Sequence, residues 1–291
     1  MSATMVPLPD GTALGTWTTG TPSAERLPVL LMHGGPGVRD YLAPVAACLD
    51  DTWLVHRYDQ RGVGVSRWRG AHTLDRVVAD AISLLDHWGH QRVTLVGHSF
   101  GTNLSSYITL AHPERVGGLV HLSGPFLGPR WRDGQKRAEQ ARRSPAQQAR
   151  LDELNAQDRR SDAEDIEHLT LSWFTDHADQ SRAWQWAAES ARAARPINFA
   201  MNQQLNSAKR ATPLEDRMDE LRQVAPAGTT IIGGAGDSRP EAELHVVAEQ
   251  LGVELVVIPD AGHDPWLEQP TEFRDLLRSA VAKQDLIAMS G

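Results

Sequence analysis

The chain has 291 residues, with 29 basic against 37 acidic side chains, a formal charge of −8 and a single cysteine. That length fits one large α/β domain or one domain carrying an insertion. The acidic balance argues against phosphate-backbone binding and against an anionic membrane surface, and one cysteine leaves no intramolecular disulfide. The N-terminus, MSATMVPLPDG, lacks a basic stretch followed by an apolar one, and no run approaches a membrane span, so a soluble cytoplasmic protein is expected.

From Ala3 to about Gly20 the pattern is strand, a turn at Asp10-Gly11, and strand again. Pro28 to Met32 is a short apolar run that reads as a buried strand and leads into His33-Gly34-Gly35-Pro36-Gly37. Tyr41 to Leu49 is helix-like, and Cys48 within it reads as a small buried apolar residue. Trp53 to Tyr58 is a strand that ends in Asp59-Gln60-Arg61-Gly62-Val63-Gly64-Val65-Ser66. Thr73 is placed as an N-cap, with apolar residues at Leu74, Val77, Val78, Ala81, Leu84, Leu85 and Trp88 and Gly89 as the stop. Val93 to Val96 and Gly118 to Leu122 are further strands, separated by a helix that Pro113 ends. Strands alternating with helices imply a parallel sheet covered on both faces.

After Gly124 no strand pattern appears for about 100 residues, far beyond an ordinary loop. The segment is rich in charge of both signs and carries Trp131, Trp173, Phe174, Trp184, Trp186 and Phe199. It is read as an inserted helical cap, 125–222, whose aromatics mostly form its own small core. Its charge runs are read as solvated helix faces. The core domain is then 1–124 and 223–291. In its second part, Thr229 to Ile232 and Glu254 to Ile258 are strands, Ala242 to Leu251 a helix, and a last helix takes Thr271 as its N-cap.

Gly97-His98-Ser99-Phe100-Gly101 is a GxSxG turn between strand and helix. Such a turn forces its serine into a strained backbone that only small neighbours tolerate, and pushes the hydroxyl out at the top of the sheet. A serine hydroxyl needs a base to take its proton, and the base needs a partner to hold its tautomer. Asp237, in GAGDS, and His263, in DAGHDPW, follow later strands and give the order Ser, Asp, His at the carboxyl ends of parallel strands. The rival acids Asp260 and Asp264 lie too close along the chain to His263 to reach its ring from the right side. An oxyanion hole requires two N–H donors. Phe100, just after the nucleophile, supplies one; Gly35 is the first choice for the other and Gly34 the second, since Pro36 has no N–H.

HGGPG at 33–37, DQRGVGVS at 59–66, GHSFG at 97–101, GAGD at 234–237 and GH at 262–263 together resemble the α/β-hydrolases of the prolyl iminopeptidase type. The resemblance implies an α/β-hydrolase fold, an eight-stranded, mostly parallel sheet flanked by helices with a helical cap after the sixth strand. It also implies no metal or organic cofactor, and hydrolysis through an acyl-enzyme. Asp59 and Arg61 are expected to brace the oxyanion loop rather than touch substrate. Family peptidases grip a free N-terminal amine with cap glutamates, one of them in an Ala-Trp-x-x-Trp-Glu-like stretch. Here that stretch reads Ala183-Trp184-Gln185-Trp186-Ala187-Ala188-Glu189, and a one-residue shift on a helix turns a side chain by ~100°. Epoxide hydrolases and haloalkane dehalogenases of this fold use an aspartate where Ser99 stands.

Two substrate classes follow. A proline-iminopeptidase-like enzyme acting on a small amide or peptide requires a buried cap carboxylate near Ser99, with Glu189, Glu167 and Asp165 as candidates and Trp173 and Trp184 as further contacts. An esterase, lactonase or thioesterase on a small molecule instead requires an apolar cap pocket without an ammonium partner. A non-catalytic binding protein of the same fold is the remaining alternative, against which the complete set of catalytic residues argues. The expected partner is a small molecule or short peptide, with no nucleic acid and no membrane; the oligomeric state is open.

Overall fold

The Asp10-Gly11 turn folds the N-terminus back on itself: Asp10 Oδ1 accepts the Thr12 N–H at 3.0 Å and Gly11 takes a φ of +81°, open to glycine at little cost. In this computed structural model, which describes residues 2–290, β1 (Thr4–Pro7) and β2 (Ala13–Thr19) form the resulting antiparallel hairpin. The sheet continues with β3 (Val29–Met32), β4 (Val55–Tyr58), β5 (Val93–His98), β6 (Val116–Leu122), β7 (Thr230–Gly234) and β8 (Glu254–Ile258). Its eight strands lie in the order β1-β2-β4-β3-β5-β6-β7-β8. The β1–β2 and β2–β4 pairs are antiparallel, and every pair beyond β4 is parallel.

Every residue of β3, β5 and β6 is buried, as expected of parallel strands covered on both faces. Leu30 and Met32 join one core with Leu95 and Leu119, while Val29 and Leu31 join the other with Val96 and Val120, the two-residue alternation of a strand. The core helices are α1 (Ala43–Ala47), α2 (Leu74–Trp88) and α3 (Phe100–Ala111). α2 starts and stops where its sequence signals say. Thr73 accepts the Arg76 N–H at 3.2 Å, and Gly89 closes the helix in the left-handed region.

β6 and β7 are joined by α4 (Trp131–Arg142), α5 (Pro145–Asn155), α6 (Asp162–Trp173), a short 3-10 turn at Phe174–Asp176, α7 (Gln180–Ala194), α8 (Phe199–Ala211) and α9 (Met218–Val224). Reciprocal capping boxes at Ser144/Gln147 and Ser161/Glu164 satisfy orphan N–H groups at two of these helix starts. The chain ends in α10 (Glu241–Leu251), α11 (Pro265–Glu268) and α12 (Pro270–Ser290). Helices α2, α3 and α10 pack on one face of the sheet, α1 and α12 on the other.

Some local expectations change. α12 begins at Pro270, one residue ahead of the expected cap Thr271, because proline's fixed φ and missing N–H suit a first helical position. α1 is shorter than Tyr41 to Leu49, since Asp40 Oδ1 draws the Leu42 N–H into a turn. Cys48 is half-buried rather than buried, its thiol donating to the Pro44 carbonyl. In the inserted helices, Phe174, Ala183 and Ala187 cluster with Trp173 against them, but Trp184 and Phe199 are 45% and 59% exposed and belong to no core.

Candidate active site

The turn after β5 is built by close approach. Ser99 has φ 54° and ψ −121°, a conformation a side-chain-bearing residue holds only when its surroundings over-determine it. A Cβ on Gly97 would lie 2.4 Å from the Gly101 carbonyl oxygen, and one on Gly101 would lie 2.0 Å from the Met32 carbonyl oxygen. Only glycine fits at either position. The Ser99 N–H donates to the Leu122 carbonyl at 2.9 Å, so the elbow hangs from the end of β6, and its hydroxyl faces the loops that follow β7 and β8.

There the sequence-distant residues meet. His263 Nε2 lies 2.9 Å from Ser99 Oγ, and His263 Nδ1 lies 2.6 Å from Asp237 Oδ2. The other carboxylate oxygen of Asp237 accepts the backbone N–H of Arg239 at 2.9 Å and its guanidinium at 3.0 Å. Burial alone would raise the Asp237 carboxyl, but the His263 imidazole and the Arg239 guanidinium outweigh it and hold the acid ionised far below the usual carboxylate range. Of the rival acids, Asp260 is exposed and Asp264 sits beside His98. An ionised acid on Nδ1 leaves Nε2 free to face the serine, the arrangement that lets an imidazole accept a hydroxyl proton.

The backbone of His263 is held as firmly as its ring. Its N–H donates to the Asp176 carbonyl at 2.8 Å, and its carbonyl accepts Ser123 Oγ at 2.8 Å and His98 Nε2 at 3.0 Å. Burial keeps His98 neutral by pushing its pKa well down. With Nε2 donating to a carbonyl, His98 Nδ1 is an acceptor, and Tyr41 Oη donates to it at 2.7 Å. The same phenol oxygen accepts the Gly34 N–H at 2.9 Å. One hydrogen-bond run thus links the HGGPG loop to the backbone of the base.

That bond bears on the expected oxyanion donors. The Gly34 N–H is committed to Tyr41, whereas the Gly35 N–H has no acceptor among the described residues. Gly35 has φ +52°, and a Cβ on Gly34 would come within 2.7 Å of Ser99 Cβ, so this loop lies directly against the nucleophile. Phe100 is the first residue of α3, where an N–H has no intrahelical acceptor. In the DQRG motif, Asp59 accepts from the Asp40 and Val65 N–H groups, and Gln60 Nε2 donates to the His33 carbonyl at 2.8 Å. Arg61 does something else. It ties Asp10 and Thr12 of the hairpin to Asp80 of α2.

The cap residues singled out in the sequence lie apart from this chain of contacts. Glu189 is exposed and accepts from Gln185 one turn earlier at 2.9 Å, and Trp184 packs its ring 5.7 Å from Phe174. Trp173 packs against the Phe174 cluster. Glu167 takes both arms of Arg150, at 3.0 and 2.8 Å, and Asp165 pairs with Arg160 and Arg195. Inserted residues that do reach the site include Asp176, whose carboxylate accepts Ser238 Oγ at 2.8 Å and Arg239 at 3.0 Å, and His177, paired with buried Glu268 at 3.2 Å. They sit where no periodic pattern marks them. Among the described residues, no group of three or more His, Cys, Asp or Glu is placed to hold a metal ion, and no helix is long and apolar enough to cross a membrane.

A strained serine at a strand–helix elbow, a histidine on its hydroxyl and an ionised aspartate on the histidine define a hydrolase-type site on a doubly covered sheet. The profile of the alpha/beta hydrolase fold family matches residues 28–270, and the chain belongs to that family. Its curated relatives are varied. It is 35% identical over 108 residues to RutD, a carbamate-hydrolase candidate of Caulobacter segnis, and 32% identical over 117 residues to a proline iminopeptidase of Heyndrickxia coagulans. These matches take in 36% and 38% of this chain, and 40% and 39% of the relatives' own lengths. Among solved structures, the proline iminopeptidase of Mycobacterium smegmatis superposes with a TM-score of 0.74 at 22% identity, over 99% of this chain and 100% of the other. At that identity the likeness is one of fold.

Proposed function

We propose that the protein is a serine hydrolase that works through an acyl-enzyme on a small neutral acyl compound. The observation that carries this reading is the continuous chain Ser99 Oγ–His263 Nε2 and His263 Nδ1–Asp237 Oδ2, at 2.9 and 2.6 Å. His263 takes the Ser99 proton as the hydroxyl oxygen attacks the acyl carbon, while Asp237 holds the imidazole and balances its charge. The tetrahedral oxyanion lies between the N–H groups of Gly35 and Phe100. The C–O, C–S or C–N bond to the leaving group breaks as His263 returns the proton to it. Water then enters by the reverse path, giving its proton to His263 and its oxygen to the acyl carbon, and Ser99 is regenerated.

The substrate class follows from where the carboxylates of the inserted helices go. Recognition of a free α-amine needs an available buried carboxylate, and Glu189, Glu167 and Asp165 are instead bound by Gln185, Arg150 and the pair Arg160 and Arg195. This favours esters, lactones, thioesters or amides over N-terminal residues. The second reading, an N-terminal proline-releasing peptidase, is supported by the HGGPG and DQRG motifs and by the partial match to the Heyndrickxia enzyme. A panel of acyl esters, lactones and prolyl amides, each amide with its amine free and acylated, separates the two. Faster turnover of the neutral members supports the first reading; an absolute requirement for the free amine overturns it, together with a large loss in Glu189→Gln.

A further inference from the structure

The loop that carries the proposed oxyanion donor has five consecutive carbonyls, and each has a donor. Gln60 Nε2 donates to the His33 carbonyl at 2.8 Å, His33 Nδ1 to that of Gly34 at 3.0 Å, and the Val38 N–H to that of Gly35 at 2.9 Å. The last two donors come from the inserted helices. Asn202 Nδ2, on α8, donates to the Pro36 carbonyl at 2.8 Å, and the backbone N–H of Asn198, at its N-cap, donates to the Gly37 carbonyl at 2.7 Å. Contact at this end is close enough that a Cβ on Gly37 would lie 2.3 Å from the Asn198 carbonyl oxygen.

A peptide plane whose carbonyl is held cannot turn without breaking that bond, since the amide is flat. The Gly35 N–H shares its plane with the Gly34 carbonyl, so the His33 bond sets where it points, while the bonds to the Gly35, Pro36 and Gly37 carbonyls hold the planes that follow and keep this stretch of loop from swinging. α8 is itself well seated for this work. Asn198 Oδ1 caps it by accepting the Met201 N–H at 3.0 Å, while Asn198 Nδ2 donates to the Gly62 carbonyl in the DQRG loop at 2.9 Å. Asn206 Nδ2 donates to Asn202 Oδ1 at 3.3 Å, which turns the Asn202 amide so that its nitrogen faces Pro36.

We propose that Asn202 is a positioning residue for catalysis: from the inserted helices it holds the Pro36 carbonyl, one residue beyond Gly35, and so keeps the loop that presents the Gly35 N–H seated against Ser99. The inserted helices are on this account part of the catalytic geometry, not only a cover that shapes a pocket. The inference rests on the acyl-enzyme reading given above. It assigns no contact between Asn202 and substrate.

The test is Asn202→Asp, which keeps the shape but sets a carboxylate oxygen against the Pro36 carbonyl, with Asn202→Ala as the second variant in case the first folds poorly. Three readouts are compared: hydrolysis of p-nitrophenyl butyrate, inhibition by an alkyl trifluoromethyl ketone, and the rate of inactivation by a fluorophosphonate. The expected result is a fall of about tenfold in kcat, smaller than the 10²–10³ of losing a direct donor, with KM within about twofold. Ketone affinity should fall by the same factor as kcat/KM, and inactivation should slow in proportion. Wild-type kcat in both variants, or a loss confined to KM, overturns the role of Asn202. Failure of the wild-type protein to react with the fluorophosphonate at Ser99 instead removes the acyl-enzyme reading, a separate outcome.

Discussion

The backbone N–H of His263 donates to the carbonyl of Asp176, 2.8 Å away, so the loop bearing the base is closed by the inserted helices and not by the strand before it. The same aspartate shares Arg239 with Asp237, each carboxylate 3.0 Å from one guanidinium nitrogen. Two acids from different parts of the chain thus lean on one cation, itself only 15% exposed.

Removing that cation leaves two mostly buried carboxylates facing one another. Breaking a buried ion pair on one side costs about 3–5 kcal/mol, so Arg239→Met should lower stability by that order in urea unfolding and lower kcat with it. Asp176→Asn should be milder, because the amide oxygen still accepts from Ser238 and Arg239. A loss of under about 1 kcal/mol in Arg239→Met would show that the pair is not held as described.

The His177–Glu268 contact gives stability a pH dependence. Burial alone would lower the His177 pKa, but the hydrogen bond it donates to Glu268 and the nearby charges of Asp264, Glu268 and Asp176 raise it above its ordinary value. A folded value above the unfolded one means the stabilisation is complete below the ordinary value of 6.5 and is lost as pH rises through the raised folded value. His177→Asn keeps a donor for Glu268 but cannot charge. The stability difference between wild type and this variant, measured by urea unfolding from pH 6 upward, should therefore shrink as pH rises. A difference that stays constant or grows contradicts the assignment.

Tyr41 serves two groups at once, accepting from Gly34 and donating to His98. Tyr41→Phe leaves the Gly34 N–H and His98 Nδ1 without a partner. An unsatisfied buried group costs about 1–3 kcal/mol, so the denaturation midpoint should drop accordingly. kcat should fall too, because both the HGGPG loop and the His263 backbone loosen. A phenylalanine variant with wild-type stability and rate would remove Tyr41 from this network.

Much of this was legible in residues that obey local rules. Thr73 and Gly89 mark the ends of α2, and Gly97 and Gly101 announce a turn that no larger residue fits. Ser99, Asp237 and His263 stand out because each follows a strand in the order such a site uses. Asn198, Asn202, Asp176 and Arg239 were not legible. Their roles depend on how the inserted helices seat on loops up to 166 residues away along the chain, as for Asn202 and Pro36, and no periodicity reports that. Glu189 is the converse case. Its sequence neighbourhood resembles a family motif with the second Trp and the Glu each one residue out of step, and its helix face points to solvent and to Gln185.

The central claim is that the Ser99 hydroxyl is made nucleophilic by His263. The most direct measurement is labelling with a fluorophosphonate followed by intact-protein and peptide mass spectrometry. Wild type should gain a single adduct on the peptide containing Ser99, Ser99→Ala should gain none, and His263→Ala should react slower by at least ~10³, on the scale of losing a triad member. An adduct on another residue, or undiminished labelling of Ser99→Ala, would contradict the account.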